Sequence, residues 1–568
     1  MKRTRRTFLK QAGAATVSLP VASSLIGCGD DTDEPSTAAD TSTASDTSTA
    51  SDTSTASDAG SDTTQPDTAE PDVSVPDVLE PDELEDYAHD GDLGPEDLFQ
   101  HGVASGDPLQ DAVILWTRVT QDGSDPVPVW WEIALDSMFL SRVAVGTADA
   151  NADTDFTFKV DVDTLEPGRT YYYRFASLGR WSQVGRTRTA PAAGMEQLRL
   201  AVCSCSKIEG GWFHAYRSIA KRADLHAVLH LGDYIYENGT TGFVPERTPE
   251  PPHETVTLLD YRTRYAQYRR DVDLQEAHRQ HPWIVIWDDH ESANNSWKDG
   301  ADAHQAGEGT WVDRKAAAQR AYTEWLPIRA PQPDTIFRSF AFGDLVDLIM
   351  LDTRLFGRDK QTKDEVEMDD PTRSMLGQAQ EDWFADQMSS STAAWRVIGQ
   401  QVVLAPVTAG GVTINPDQWD GYRPARLRLL ETIAASGDTV VVTGDIHSSW
   451  AADVPGPDYD AATGAGSVVA EFVAPGVTSG FPLDAGYVDT AKALNPHIQY
   501  GDVSHRGYFV LDVTAERAQA TWVHYAEVTD PNAPEIIAGV FATLAGTGSV
   551  AEDTTPAEPT APVPDPAP

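Results

Sequence analysis

Three apolar runs in this chain end in the same abrupt way, and that repetition constrains the fold more than any other feature. Residues 225–231 stop at Gly232-Asp233-Tyr234-Ile235-Tyr236-Glu237, 282–287 at Asp288-Asp289-His290-Glu291, and 439–443 at Gly444-Asp445-Ile446-His447. A short apolar run closed by Gly or Asp reads as a buried strand, and carboxylates at strand ends collect at the carboxyl edge of an open α/β sheet. A fourth run, 198–202, leads into Cys203-Ser204-Cys205. One such Asp alone reads as a helix cap; four donor-bearing strand ends point to a multinuclear metal centre, with Asp233 its first ligand.

The rest of the chain divides around this core. Residues 1–27 carry Arg5-Arg6, a modestly apolar stretch and Leu25-Ile26-Gly27-Cys28, the pattern of a twin-arginine export signal ending in a lipobox. Cys28 is thus the expected lipidation site, with ordinary signal cleavage and an idle thiol as the alternative. The expected location is exported and extracytoplasmic, with membrane contact through the lipid alone and the twin-arginine translocase as export partner. Residues 28–97 hold three TSTASD copies and no Lys or Arg after Gly29, a composition expected of a disordered acidic tether. Short alternating strands over 98–190 suggest an all-β sandwich of immunoglobulin or fibronectin type, and Leu165-Glu166-Pro167-Gly168-Arg169-Thr170-Tyr171 resembles a tyrosine corner.

In 197–545, strands and helices alternate before strands take over, which favours a layered α/β/β/α sandwich. Helices are expected at 212–221, 258–270, 314–325, 377–387 and 425–435, and 536–544 is apolar enough for another. Residues 546–568 are polar and Pro-rich and read as a disordered tail. With 88 acidic against 42 basic residues the formal charge is −46. Phosphate-mediated nucleic-acid binding is excluded, whereas divalent cations are attracted. Cys203 and Cys205 are too close for an unstrained disulfide, and metal ligation explains a free thiol in an exported protein.

The ordered strings HGVASGDP, ILWTR, CSCS, HLGDYIYE, LLDYRTRYAQYRRD, WDDHE, MLDTR, GQQV, DQWDGY, TGDIHSSW and EFVAPGVTSG resemble the PhoD-like family of alkaline phosphatases and phosphodiesterases, within the metallophosphoesterase group. The resemblance runs from His101 to about Tyr525. It implies a metallophosphoesterase-type α/β/β/α catalytic domain, hydrolysis of small phosphate monoesters by metal-activated hydroxide, and one ferric iron with calcium. Cys205, Asp233 and Tyr236 would supply anionic donors to the iron, with Cys203 left as a strand residue; a Tyr whose hydroxyl merely meets backbone is the competing reading of Tyr236.

Asp289, Asn294, Asp445 and Gln400 would be oxygen donors to calcium, Gln401 being the alternative to Gln400. His447 would bind metal or phosphate. His290 would steady the phosphate or leaving group, and Arg314 would hold phosphate oxygens unless it is a solvated helix-end Arg. Asp352 and Arg354 are read as a supporting ion pair or a substrate contact, and Asp417, Trp419, Asp420 and Tyr422 as the mouth of the site. Two rivals stand beside the monoesterase: a phosphodiesterase or phospholipase D with the same site, and a tethered binding lipoprotein with a dead site.

Overall fold

The computed structural model describes residues 84–241, 244–330, 332 and 334–568. Arg5, Arg6, Cys28 and the repeats of the expected tether lie outside them. Three of the donor-bearing runs form adjacent parallel strands, Leu198–Cys203, Ala227–His230 and Pro282–Val285, with Val202 opposite Leu229 and Leu229 opposite Ile284. All three are buried along their whole length, as parallel strands covered on both faces must be. They sit mid-way in a ten-stranded sheet. Arg506–Val513, Arg517–Tyr525, Glu535–Leu544 and Val550–Glu552 extend it antiparallel on one side.

The fourth run, Thr439–Thr443, lies between Trp395–Gln400 and Ala465–Val473 in a seven-stranded sheet packed on the first. Side-chain alternation assigns its faces. Val440 and Val442 join Leu200 and Leu231 in the core between the sheets, while Val441 packs with Leu429 and Ile433 of the helix Arg423–Ala434. The result is the expected α/β/β/α layering. Among the described residues no helix is long and apolar enough to cross a membrane.

The leading β region is the expected all-β domain, but one of its two sheets is continuous with the ten-stranded sheet. One of its sheets contains Arg142–Ala150, Val127–Ala134 and Thr170–Ser177, but the strands facing it, Val103–Gly106, Val113–Arg118 and Thr157–Val162, are the far end of the ten-stranded sheet. Val103–Gly106 pairs in parallel with Pro282–Val285, Ser105 opposite Pro282. Leu115, Phe158, Ile133 and Phe175 fill the space between. The expected tyrosine corner is present: Tyr171 Oη accepts from Glu166 N at 2.8 Å and donates to Glu166 O at 3.3 Å.

Three local expectations are corrected. Helix 311–325 begins three residues before 314, because Thr310 Oγ1 accepts from Asp313 N and caps it there. Residues 536–544 belong to the strand Glu535–Leu544, whose buried end pairs with Arg517–Tyr525. The stretch 546–568 is not a free tail. After Val550–Glu552 it runs along the protein, where Gln197 donates to Glu558 O, Arg199 to Ala557 O and Arg279 to Pro568 O.

Candidate metal centre

The four strand ends meet at one edge, and the turns that follow them are tightly wound. Cys205, Asp233, Asp445 and His447 adopt φ of 61°, 55°, 63° and 56°, a left-handed region that costs non-glycine residues energy and gathers at functional sites. Gly232 makes the closest approach: a Cβ there would lie 2.3 Å from Asp288 Cβ, so the GDYIYE loop can rest on the WDDHE loop only with glycine. Glu291 ties the two together, accepting from the backbone N–H groups of Asp233, Tyr234 and Asp288 at 3.1, 2.6 and 2.8 Å.

Around that junction the expected donors converge. Ligand atoms of Cys205, Asp233 and His447 lie within 4.8 Å of one another, as do those of Asp233, Asp289 and His290, and those of Asp288, Asp289 and Asp445. Tyr236 Oη links the first group, donating to Asp233 Oδ2 at 2.9 Å, standing 3.0 Å from His447 Nε2 and accepting from Ser479 Oγ at 2.7 Å. The backbone-only reading of Tyr236 is thereby overturned.

The electrostatics suit cations. Burial pushes the Cys205 thiol well above its usual range, and the Asp233 charge adds to the shift, so a bound cation is the natural means of holding it as thiolate. Burial likewise lifts Asp445 to about 6 despite Arg354. Asp288 Oδ2 and Asn294 Oδ1 are buried with no hydrogen-bond partner. Orphaned acceptors beside crowded carboxylates fit a site that takes metal.

The carboxylates around His290 favour its charged form. Burial opposes its charge, but Glu237, Asp233 and Asp289 outweigh burial and raise the ring to about 10. Glu237 Oε2 sits 2.5 Å from His290 Nδ1, and its other oxygen accepts from Asn294 N at 2.6 Å. That leaves Nε2 as a buried N–H without a protein acceptor.

Two expected residues are not brought in. All three guanidinium nitrogens of Arg314 are engaged elsewhere: Nε donates to Tyr261 Oη at 3.1 Å, Nη1 to Ala303 O and Glu308 at 2.9 Å each, and Nη2 to Glu254 at 2.7 Å. It braces Tyr261, Ala303, Glu308 and Glu254 against one another. Gln400 Oε1 accepts from Trp419 Nε1 at 2.7 Å and its nitrogen donates to Thr443 at 3.3 Å. Gln401 bonds Thr353 and Leu351. Neither amide hydrogen-bonds to the carboxylates of the centre.

Arg354 is more central than expected. Completely buried, it donates to Asp288 at 2.5 Å, Asp445 at 2.6 Å and Asp417 at 2.7 Å, and lies 3.9 Å from Asp289. Gln418 completes Asp445 with a 2.6 Å bond to Oδ2. Glu237 and Glu291 stand in the sequence only as members of the GDYIYE and DDHE strings, which carry no sign of the backbone groups they hold.

The comparisons agree with this geometry. Residues 200–522 match the model of the PhoD-like phosphatase family, and 88–191 match that of the PhoD-like phosphatase N-terminal domain. Alkaline phosphatase D of Bacillus subtilis (strain 168) is 39% identical over 464 residues, 77% of this chain and 79% of that protein. A solved structure described as PhoD superposes with a TM-score of 0.76 at 36% identity, covering 83% of this chain and 94% of the other. The chain belongs to the PhoD-like phosphatase family, as a metal-dependent phosphoric ester hydrolase.

Proposed function

We propose that the protein is an exported alkaline phosphatase that hydrolyses small phosphate monoesters with one ferric iron and calcium. The observation that carries the metal assignment is the meeting of Cys205, Asp233, Tyr236 and His447 at one point. A thiolate, a phenolate and a carboxylate suit a highly charged iron and suit magnesium poorly. Asp289, Asn294 and Asp445 offer the oxygens calcium accepts. Cations held there would lower the pKa of a water, offset phosphoryl charge and favour in-line displacement.

The chain's own residues complete the reaction. His290, held at Nδ1 by Glu237, presents Nε2 to a phosphoryl oxygen or to the departing alkoxide. Glu291 fixes the backbone of Asp233 and Asp288 against recoil, and Arg354 keeps the acids from repelling one another before cations bind. Export and lipid anchoring rest on Arg5, Arg6 and Cys28.

A second reading, hydrolysis of phosphodiesters with an apolar alcohol, is favoured by one observation. An apolar cavity lined by Val403, Ile446, Trp450, Val473, Phe481 and Tyr487 abuts the Asp445–His447 turn. Nitrophenyl phosphate and bis(nitrophenyl) phosphate separate the readings. The monoester is expected to have the higher kcat/KM; a diester preference of tenfold or more would reject the first reading. Elemental analysis of the exported protein should find iron near one equivalent, and iron-free active protein would reject the metal assignment.

A further inference from the structure

A second group of metal-binding side chains stands apart from the centre just described. Asp502, His505 and His524 place one ligand atom each within 4.8 Å of one another. Asp502 ends the strand Ile498–Asp502 of the seven-stranded sheet, and His524 lies on Arg517–Tyr525 of the ten-stranded sheet. The two sheets therefore both contribute ligands. Ser449, opposite Asp502 in its sheet and two residues after His447, bonds His524 Nε2 at 2.8 Å.

That serine contact orients the ring. Nε2 is taken, so Nδ1 is the nitrogen left to face Asp502 Oδ2, 3.8 Å away, too far for a hydrogen bond. The His524 side chain is 1% exposed and its Nδ1 has no hydrogen-bond partner. A buried ring nitrogen with no hydrogen-bond partner, opposite a carboxylate at 3.8 Å, leaves both groups free to share a cation between them. His505 closes the third side: Nδ1 is 2.8 Å from Asp502 Oδ2 and its ring stacks on that of His524 with centroids 5.4 Å apart.

The spacing suits a small borderline ion. Tetrahedral ligands at the ~2.1 Å typical of zinc are about 3.4 Å apart, between the 2.8 and 3.8 Å separations found here. Two imidazoles and one carboxylate form a donor set for zinc-class divalent ions, with a fourth position left for solvent. Asp502 Oδ1 is already occupied by Ser504 N and His505 N at 2.9 and 3.0 Å, which orients the carboxylate. Arg506, the adjacent cation, donates to Ser504 O at 3.1 Å.

We propose that Asp502, His505 and His524 bind a zinc-class divalent cation that clamps the two sheets together beside the catalytic edge, separately from the metals of that edge. The test uses the full-length protein with its resident metals, incubated with excess Zn2+, freed of unbound ion and counted by elemental analysis. Wild type is expected to gain one zinc equivalent, together with a higher melting temperature. His505→Ala, at a side chain 33% exposed, and Asp502→Asn are expected to bind that zinc at least tenfold more weakly while retaining the metals present before zinc addition. No zinc uptake by wild type, or undiminished uptake by either variant, would overturn the proposal.

Discussion

Replacing Arg354 with Met tests the account of the centre most severely. The guanidinium contacts three carboxylates at 2.5–2.7 Å and approaches a fourth at 3.9 Å, with none of its surface exposed. Removing one member of a buried ion pair costs about 3–5 kcal/mol, because the remaining charge is stranded in a poor dielectric. Against a typical total of about 5–15 kcal/mol that is a large fraction. The assay is guanidinium denaturation of chelator-stripped protein. Arg354→Met should lower stability by at least ~3 kcal/mol, and Arg354→Lys should restore little of it, since one ammonium cannot fork to three acids. Asp288 offers the internal control. Its Oδ1 receives only Arg354 and its Oδ2 has no partner, so Asp288→Asn should recover part of the loss in the Arg354→Met background. A loss under about 1 kcal/mol, or an Asp288→Asn change that deepens it, would refute this electrostatic account.

Other expectations follow from equally local features. Tyr171→Phe removes both corner bonds to Glu166 and should cost about 1–3 kcal/mol by denaturant midpoint, with kcat/KM unchanged. Glu237→Gln loosens His290 and Asn294 together, and steady-state kinetics should show kcat lower by about tenfold to a hundredfold with KM less affected. Burial lowers the buried His230 and His281 from 6.5 to about 3, so the unfolded chain binds protons there that the folded chain refuses. Stability is therefore full above about pH 6.5 and declines as pH falls towards 3. Between pH 7 and 5 the loss is about 2 kcal/mol for each ring, and urea midpoints that do not move over that interval would contradict it.

Three of the four strand ends are legible because each joins an apolar run to an acid, a change the chain makes within one or two residues. That pattern singles out Asp233, Asp289 and Asp445, while Tyr236 as a ligand rests on the family resemblance. Arg354 was harder: its partners Asp288, Asp417 and Asp445 lie 63 to 91 residues away in the chain, and an LDTR string fits an exposed loop as well as a buried fork. Arg314 failed in the opposite sense. Helix position suggested an open guanidinium, while Glu254 and Glu308 on separate loops close it.

Segment 536–544 shows the ambiguity of a short apolar run, which fits helix or strand until a neighbour supplies a ladder. The polar C-terminal stretch misled for a related reason. Its bonds are made largely by backbone groups, carbonyls offered to Gln197, Arg199 and Arg279 and N–H groups donated to Gln519, Gln197 and Gln280, and composition says nothing about the backbone. The Asp502, His505 and His524 group was missed because 22 residues and two different sheets separate its ends.

The parallel pairing of Val103–Gly106 with Pro282–Val285 has a mechanical meaning. A module that donates the next rung to its neighbour's ladder leaves no hinge between them. Severing the chain near residue 194 would not release two working halves, because each piece would carry a raw strand edge where the other had been. Anyone grafting a different front end onto this hydrolase must therefore graft the missing rungs as well.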